Sequence, residues 1–235
     1  MKVNNHTFVC LQNASDVREN FNDPKIMSIV KSMEWRYATK KYDTSRQLTD
    51  DQFNDLLSAV QLAPSSYGLQ PYRFITVQDP AKLEEISRAA FGQPQITTAA
   101  KILAIAVETN INSQTVENYI NKAAIARGTA RINLEAREQF VNSRLDLLSP
   151  EQKIEWAEKQ AFLAIGVLVS AAAEAGIDAS PMEGFDHTQV DKILGLEAQQ
   201  LKTTLLFALG YRSPDDEFAI IPKVRKTKDE LFTTI

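Results

Sequence analysis

One stretch limits the fold more than any other. Ser149-Pro150-Glu151-Gln152 is a capped helix start, with proline at the first helical position and Gln152 completing a capping box. The helix it opens is expected to run to about Ala175, with Gly176 at C′. Its second half, Ala161-Phe162-Leu163-Ala164-Ile165-Gly166-Val167-Leu168-Val169-Ser170-Ala171-Ala172-Ala173, is apolar on every side. A helix that is hydrophobic all round must be buried, in a large core or against another subunit. A chain of 235 residues holds one large domain or two small ones, so the better solution is a two-fold dimer with this helix central.

Around that helix, strands and helices alternate. Residues 72–77 (YRFITV) read as a strand, and 102–107 (ILAIAV) as a strand buried on both faces. Residues 177–181 form a short strand before a Met-Glu-Gly turn, and 203–209 (TTLLFAL) another strong one. Ile26, Ile29, Val30 and Met33 recur at helical spacing. Thr49 and Gln52 make a capping box, with Phe53, Leu56, Leu57 and Val60 as the apolar stripe and Pro64 as the stop. Asp79-Pro80 opens a helix to about Ala90, and Val190, Ile193 and Leu194 with Gly195 make a short one. Residues 113–147 are helix-like and amphipathic; a protruding excursion over a site and ordinary packing both fit them. Helices dominate in length, which predicts an α+β fold of three layers around one sheet. Residues 1–25 are polar and without period, so they read as an N-terminal arm before a single domain at 26–235.

Several chemistries are excluded early. Lys plus Arg number 26 against 30 Asp plus Glu, a net charge of −4, which does not suit a nucleic-acid or polybasic membrane binder. One cysteine, Cys10, excludes an internal disulfide framework, and two histidines, His6 and His187, leave little for zinc or iron–sulfur ligation. His187 reads as helix N-terminal rather than as a triad base. The eight glycines stand singly, and neither G-x-G-x-x-G, G-x-x-x-x-G-K-[ST] nor G-x-S-x-G occurs. Any redox chemistry must therefore come from a bound organic cofactor. The first fifteen residues lack the apolar run of an export signal, and no segment approaches the about 20 apolar residues of a membrane span. The expected compartment is the cytoplasm.

What remains is cationic. Arg36-Tyr37-Ala38-Thr39-Lys40-Lys41 carries three cations, and Pro222-Lys223-Val224-Arg225 sets Lys223 and Arg225 on one side of an extended segment. Two such clusters converging would hold a phosphate; taken singly, each is an ordinary solvated face.

Four segments in register go further. RYATKKYD (36–43), APSSYGLQPYRF (63–74), SPMEGFD (180–186) and PKVR (222–225) together resemble the FMN-dependent nitroreductase family, and most of all its oxygen-insensitive NAD(P)H nitroreductase and dihydropteridine reductase branch. The likeness runs from about residue 27 to the C-terminus. It implies a three-layer α-β-α fold with a mostly antiparallel central sheet. It also implies a homodimer with FMN at the subunit interface and the long helix buried there.

By that resemblance, Arg36, Lys223 and Arg225 hold the FMN phosphate, and Tyr37 and Ala38 line that end. Lys40 lies near the pyrimidine edge of the flavin. Pro181, Met182, Glu183 and Gly184 pass along the ring, with the Glu183 N–H at N5 and Gly184 near O4. Pro64, Ser65, Ser66 and Gly68 reach the flavin of the second subunit. Phe91-Gly92-Gln93-Pro94-Gln95 aligns with a stretch that supplies an amide and a lysine, with Gln95 in the second place. The chain departs from the pattern at Ala38, where a hydroxyl is common, and at Gly68, where near relatives carry Asn. Phe140 and the 113–147 segment are candidates for the pocket roof. No side chain is required as nucleophile or essential acid. The implied activity is ping-pong transfer of two electrons from NAD(P)H to a small-molecule acceptor such as a nitroaromatic or quinone. An NAD(P)H:flavin or dihydropteridine reductase on the same fold, or a non-catalytic FMN-binding dimer, are the alternatives.

Overall fold

A computed structural model describes the backbone of residues 26–235 and the side chains from Ile29 onward. The proposed arm, with His6 and Cys10, lies outside the described residues.

The helix α1 (Ile26–Trp35) leads into an irregular segment and then α2 (Asp50–Gln61). The Thr49 hydroxyl accepts from the Gln52 N–H while the Gln52 side chain accepts from the Thr49 N–H, so the expected capping box is present. β1 (Tyr72–Val77), α3 (Pro80–Ala89), α4 (Pro94–Thr98) and β2 (Lys101–Glu108) follow. The stretch read as helix-like over 113–147 divides in two, α5 (Ser113–Ala126) and α6 (Glu135–Leu145). The break falls at Gly128, whose φ of 59° lies in the left-handed region that glycine enters without penalty. α7 (Pro150–Glu174), β3 (Asp178–Met182), α8 (His187–Leu194), β4 (Leu201–Gly210) and a short α9 (Lys228–Leu231) complete the chain. His187 is the first residue of α8, as its sequence context suggested.

The four strands form one sheet in the order β1-β2-β4-β3, antiparallel throughout. β2 and β4 are central, which explains their unbroken apolar runs. Along them Leu103, Ile105, Val107, Leu205, Phe207 and Leu209 face one core with α2, α5, α6 and α7. Ile102, Ala104, Leu206 and Ala208 face a second core with α3 and α8. Period-two alternation thus feeds two helical layers, giving the three layers expected. Truncating a fully buried side chain such as Phe207 to Ala would cost about 3–5 kcal/mol.

α7 is buried on one face only. Ala157, Ala161, Ala164, Ile165, Leu168 and Ala172 pack into the first core, while Phe162 and Leu163 remain 42% and 51% exposed. All-round burial is therefore not achieved within one chain. No helix among the described residues is long and apolar enough to cross a membrane.

Candidate flavin-phosphate site and its surroundings

The antiparallel pairing of β3 with β4 brings the start of one strand beside the end of the other, with Asp178 opposite Gly210. The chain leaving β4 therefore emerges next to the segment that follows α1. Ala38 makes a parallel bridge to Ala179, and Tyr42 an antiparallel one to Arg212. Gly210 is required here: a Cβ on it would stand 2.7 Å from Tyr42 Cδ1 and 3.2 Å from the Ala100 nitrogen.

Two carboxylates that sequence reasoning did not single out hold this junction. Asp178, 2% exposed, takes the Arg212 guanidinium at 2.6 Å, the Arg212 N–H at 2.8 Å and the Thr39 hydroxyl at 3.3 Å. A buried charge needs such a fully paired setting. Arg212 in turn lies over the rings of Trp35 and Tyr37, at 4.2 and 4.7 Å from their centroids. Asp216 accepts from the Lys40 N–H at 2.8 Å, the Lys41 N–H at 3.2 Å and the Tyr37 hydroxyl at 2.9 Å. Burial opposes its ionisation, but these donors prevail and hold its carboxyl below the usual aspartate range. The only sequence signal for either was an acid in otherwise apolar surroundings (Ile177-Asp178-Ala179) and a turn-forming Ser-Pro-Asp-Asp run.

On this frame three cations converge. The guanidinium of half-buried Arg36 donates to the Ala179 carbonyl at 3.5 Å, and its Nε is buried without a hydrogen-bond partner. Burial first, and then the Arg225 charge, depress its pKa. The Lys223 ammonium donates to the Glu34 carbonyl. Desolvation, followed by the charges of Arg36, Arg225 and Arg212, lowers its pKa too. Among the described hydrogen bonds, Arg225 donates only to the neighbouring Val224 carbonyl. Among the described residues none of the three forms an ion pair with a carboxylate. Residues far apart in sequence thus meet with mutual repulsion and an orphaned donor, a setting that a phosphate dianion would relieve. Ala38 and Tyr37 stand beside the cluster, and Lys40 is anchored through its backbone to Asp216.

The end of β3 contributes backbone. Pro181, Glu183 and Gly184 are exposed, whereas the Met182 side chain is buried among Ile86, Phe185 and Leu206, so main-chain atoms are what residue 182 can offer a ligand. Among the described hydrogen bonds, the N–H groups of Glu183 and Gly184 have no acceptor. Gln93 donates from Nε2 to the Gly184 carbonyl at 2.6 Å. Gln95, in the first turn of α4, is 2% exposed, and its Oε1 has no partner.

Pro64, Ser65, Ser66 and Gly68 lie apart, on the loop between α2 and β1. No described contact joins them to the cations. A cleft of about 760 Å³ opens beside this loop, between Leu69, Tyr72 and Phe74 on one side and Tyr119, Lys122 and Arg127 of the α5 side on the other. Of the residues expected to touch the flavin only Gly68 lines it, together with α5 residues of the 113–147 segment expected as a pocket roof. Phe140 is exposed on α6.

The chain is similar to known proteins over most of its length. The profile of the Nitroreductase family matches residues 33–211. A Staphylococcus epidermidis protein named for NAD(P)H nitroreductase activity is 29% identical over 221 residues, covering 88% of this chain and 97% of that protein. A Bacillus subtilis protein named in the same way, YfkO, is 29% identical over 214 residues, covering 86% and 95%. Among solved structures, a nitroreductase-like protein of Streptococcus mutans superposes with a TM-score of 0.79 at 21% identity, over 89% of this chain and 99% of that one. A nitroreductase-named protein of Exiguobacterium sibiricum, solved in complex with FMN, gives 0.74 at 21%, over 89% and 96%.

Proposed function

Because the chain belongs to the nitroreductase family, we propose that it is an NAD(P)H-dependent FMN oxidoreductase that passes two electrons, by a ping-pong mechanism, to nitroaromatics, quinones or related acceptors. The observation that carries this reading is the meeting of Arg36, Lys223 and Arg225, three cations without carboxylate partners among the described residues, around a buried Arg36 Nε that finds no acceptor there.

When bound, FMN supplies the two-electron chemistry between nicotinamide and acceptor. The chain's own residues bind and orient. Arg36, Lys223 and Arg225 would hold the phosphate, with Tyr37 and Ala38 lining that end. The open N–H groups of Glu183 and Gly184 would donate to the polar edge of the ring, while Pro181 and Met182 offer main chain along it. Preorganised donors of this kind need no rearrangement when negative charge develops. Lys40 and Gln95 would stand at the pyrimidine side. Pro64, Ser65, Ser66 and Gly68 would serve the flavin held by a second copy. In that homodimer the open face of α7, with Phe162 and Leu163, becomes the interface. The cytoplasm, which supplies NAD(P)H, is the compartment this reading implies.

The test is an absorption spectrum of the purified protein followed by anaerobic addition of NADH or NADPH. A flavin band that bleaches with nicotinamide and returns with a nitroaromatic or quinone supports the reading. A flavin that binds but never turns over reduces the protein to a carrier. A protein that FMN cannot reconstitute sinks it.

A further inference from the structure

Gln160 is a buried amide on the apolar face of α7, 6% exposed and flanked by Ala157, Ala161 and Ala164. Its Oε1 accepts the Ser66 N–H at 2.7 Å, and its Nε2 donates to the Trp156 carbonyl at 3.1 Å. Only this orientation works, since a flipped amide would set two donors against each other at Ser66 and two acceptors at Trp156.

The segment it grips is strained. Tyr67, Gly68 and Gln70 have φ of 59°, 79° and 44°, and two of the three have a Cβ. Such conformations persist only where the surroundings over-determine them. Here the Tyr67 ring lies between Trp156, centroids 6.4 Å apart, and Phe140, edge-on at 6.3 Å. Arg137 donates to the Tyr67 carbonyl at 3.3 Å, and Tyr119 closes on Gly68 so tightly that a Cβ there would stand 2.9 Å from its ring. The Gln70 N–H donates to the Ser65 hydroxyl at 3.2 Å. Gln160 and Trp156 are one turn apart on α7, so a single helix holds Ser66 by its backbone and Tyr67 by its ring.

We propose that Gln160 is a positioning residue for the flavin site: through the Ser66 N–H it ties the 65–70 loop to α7, and so fixes where Ser65 and Ser66 stand relative to the second subunit's FMN. This rests on the function proposed above. The same helix presents Phe162 and Leu163 on its open face. Gln70 at the far end of the loop donates to the Gln61 carbonyl of α2 and to the Tyr72 hydroxyl of β1, at 3.1 and 3.3 Å, whereas the Ser66 end is referred through Gln160 to the rod proposed as the interface. Only a buried group that both accepts and donates meets both ends of this link.

The experiment compares wild type, Gln160→Leu and Gln160→Glu as purified proteins, reading FMN affinity and the visible circular dichroism of bound flavin, with thermal unfolding as the folding control. Gln160→Leu should bind FMN about tenfold more weakly and alter the dichroism. Gln160→Glu should approach wild type as pH falls, because a protonated carboxyl both accepts from Ser66 and donates to Trp156; wild type measured over the same range removes the flavin's own pH dependence. A folded Gln160→Leu protein with unchanged affinity and dichroism overturns the proposal. If that variant fails to fold, the Gln160→Glu profile decides: no recovery at low pH overturns it. Wild type that binds no FMN sinks the reading on which the proposal rests, whereas wild type that binds while both variants match it sinks the proposal alone.

Discussion

The Asp216 carboxylate and the Tyr37 hydroxyl meet at 2.9 Å, and the same carboxylate oxygen takes the N–H groups of Lys40 and Lys41. Asp216 Oδ1 accepts the Phe218 N–H at 3.1 Å, so one side chain ties the segment after α1 to the turn that follows β4. Burial, and then the bond to Asp216, raise the Tyr37 pKa well out of the physiological range, so the phenol stays a donor.

Asp216→Ala should therefore destabilise the fold by about 2–4 kcal/mol, the loss of several charge-assisted bonds at a buried site. The folded carboxyl titrates below its ordinary value of 3.8, so its contribution is fully present above that pH and disappears as pH falls through the lower, folded value. Urea unfolding at neutral pH should show the full difference between the proteins, and acid should shrink it. An equal difference at pH 7 and pH 2 would contradict the assignment.

Gly210→Ala tests the close approach behind it. The added methyl meets the Tyr42 ring at 2.7 Å and backbone at 3.2 Å. Tyr42 is 2% exposed and donates its hydroxyl to the Ala208 carbonyl at 3.0 Å, so it cannot swing away cheaply. The expected cost is about 1–3 kcal/mol of overpacking. Denaturant midpoints measure it, and a neutral substitution would show that the ring has room.

Lys223 gives a prediction about pH and ligand together. Its ammonium is depressed by desolvation and by the Arg36 and Arg225 charges, and a bound phosphate would raise it again. FMN affinity should accordingly fall as pH rises through the depressed value of the free protein, with one proton taken up on binding. Lys223→Ala should flatten that alkaline limb and weaken FMN about 10–100-fold, in keeping with 1.4 kcal/mol per tenfold. Riboflavin, which lacks the phosphate, should bind both proteins alike. Titration by fluorescence quenching compares the two ligands, and an equal loss for riboflavin would move Lys223 away from the phosphate.

Much of this was legible in the residues, for reasons that differ by site. The unbroken apolar run ILAIAV marks a strand covered on both faces, and the Thr49 and Ser149 boxes mark helix starts by local chemistry alone. The cations at 36 and 223 could be read as clusters, but their meeting depends on β3 lying beside β4, which no local signal encodes. Asp178 and Asp216 escaped notice because their partners, Arg212 and the Lys40 and Lys41 amides, are distant in sequence. The positive φ at Tyr67 and Gln70 was hidden for another reason. Glycine announces such a backbone, whereas a tyrosine there is imposed by tertiary packing. Gln160 was concealed by position, the last of the polar run Glu158-Lys159-Gln160 before the apolar half of α7.

The open face of α7 supplies the last prediction. Leu163 is 51% exposed beside Phe162 and Gly166, an apolar surface on a helix whose opposite face is already packed. Leu163→Glu would place an unpaired carboxylate at the centre of the proposed interface, where desolvating it costs several kcal/mol. In the isolated subunit the same residue would stay in water, so the fold should survive with unchanged far-ultraviolet dichroism. Sedimentation should then show a monomer in place of a dimer. FMN should be lost at the same protein concentrations, because in the proposed homodimer Ser65 and Ser66 would reach the flavin from the second copy. A Leu163→Glu protein that stays dimeric would move the interface elsewhere. One that turns monomeric yet holds FMN as tightly as wild type would confine the flavin site to a single chain.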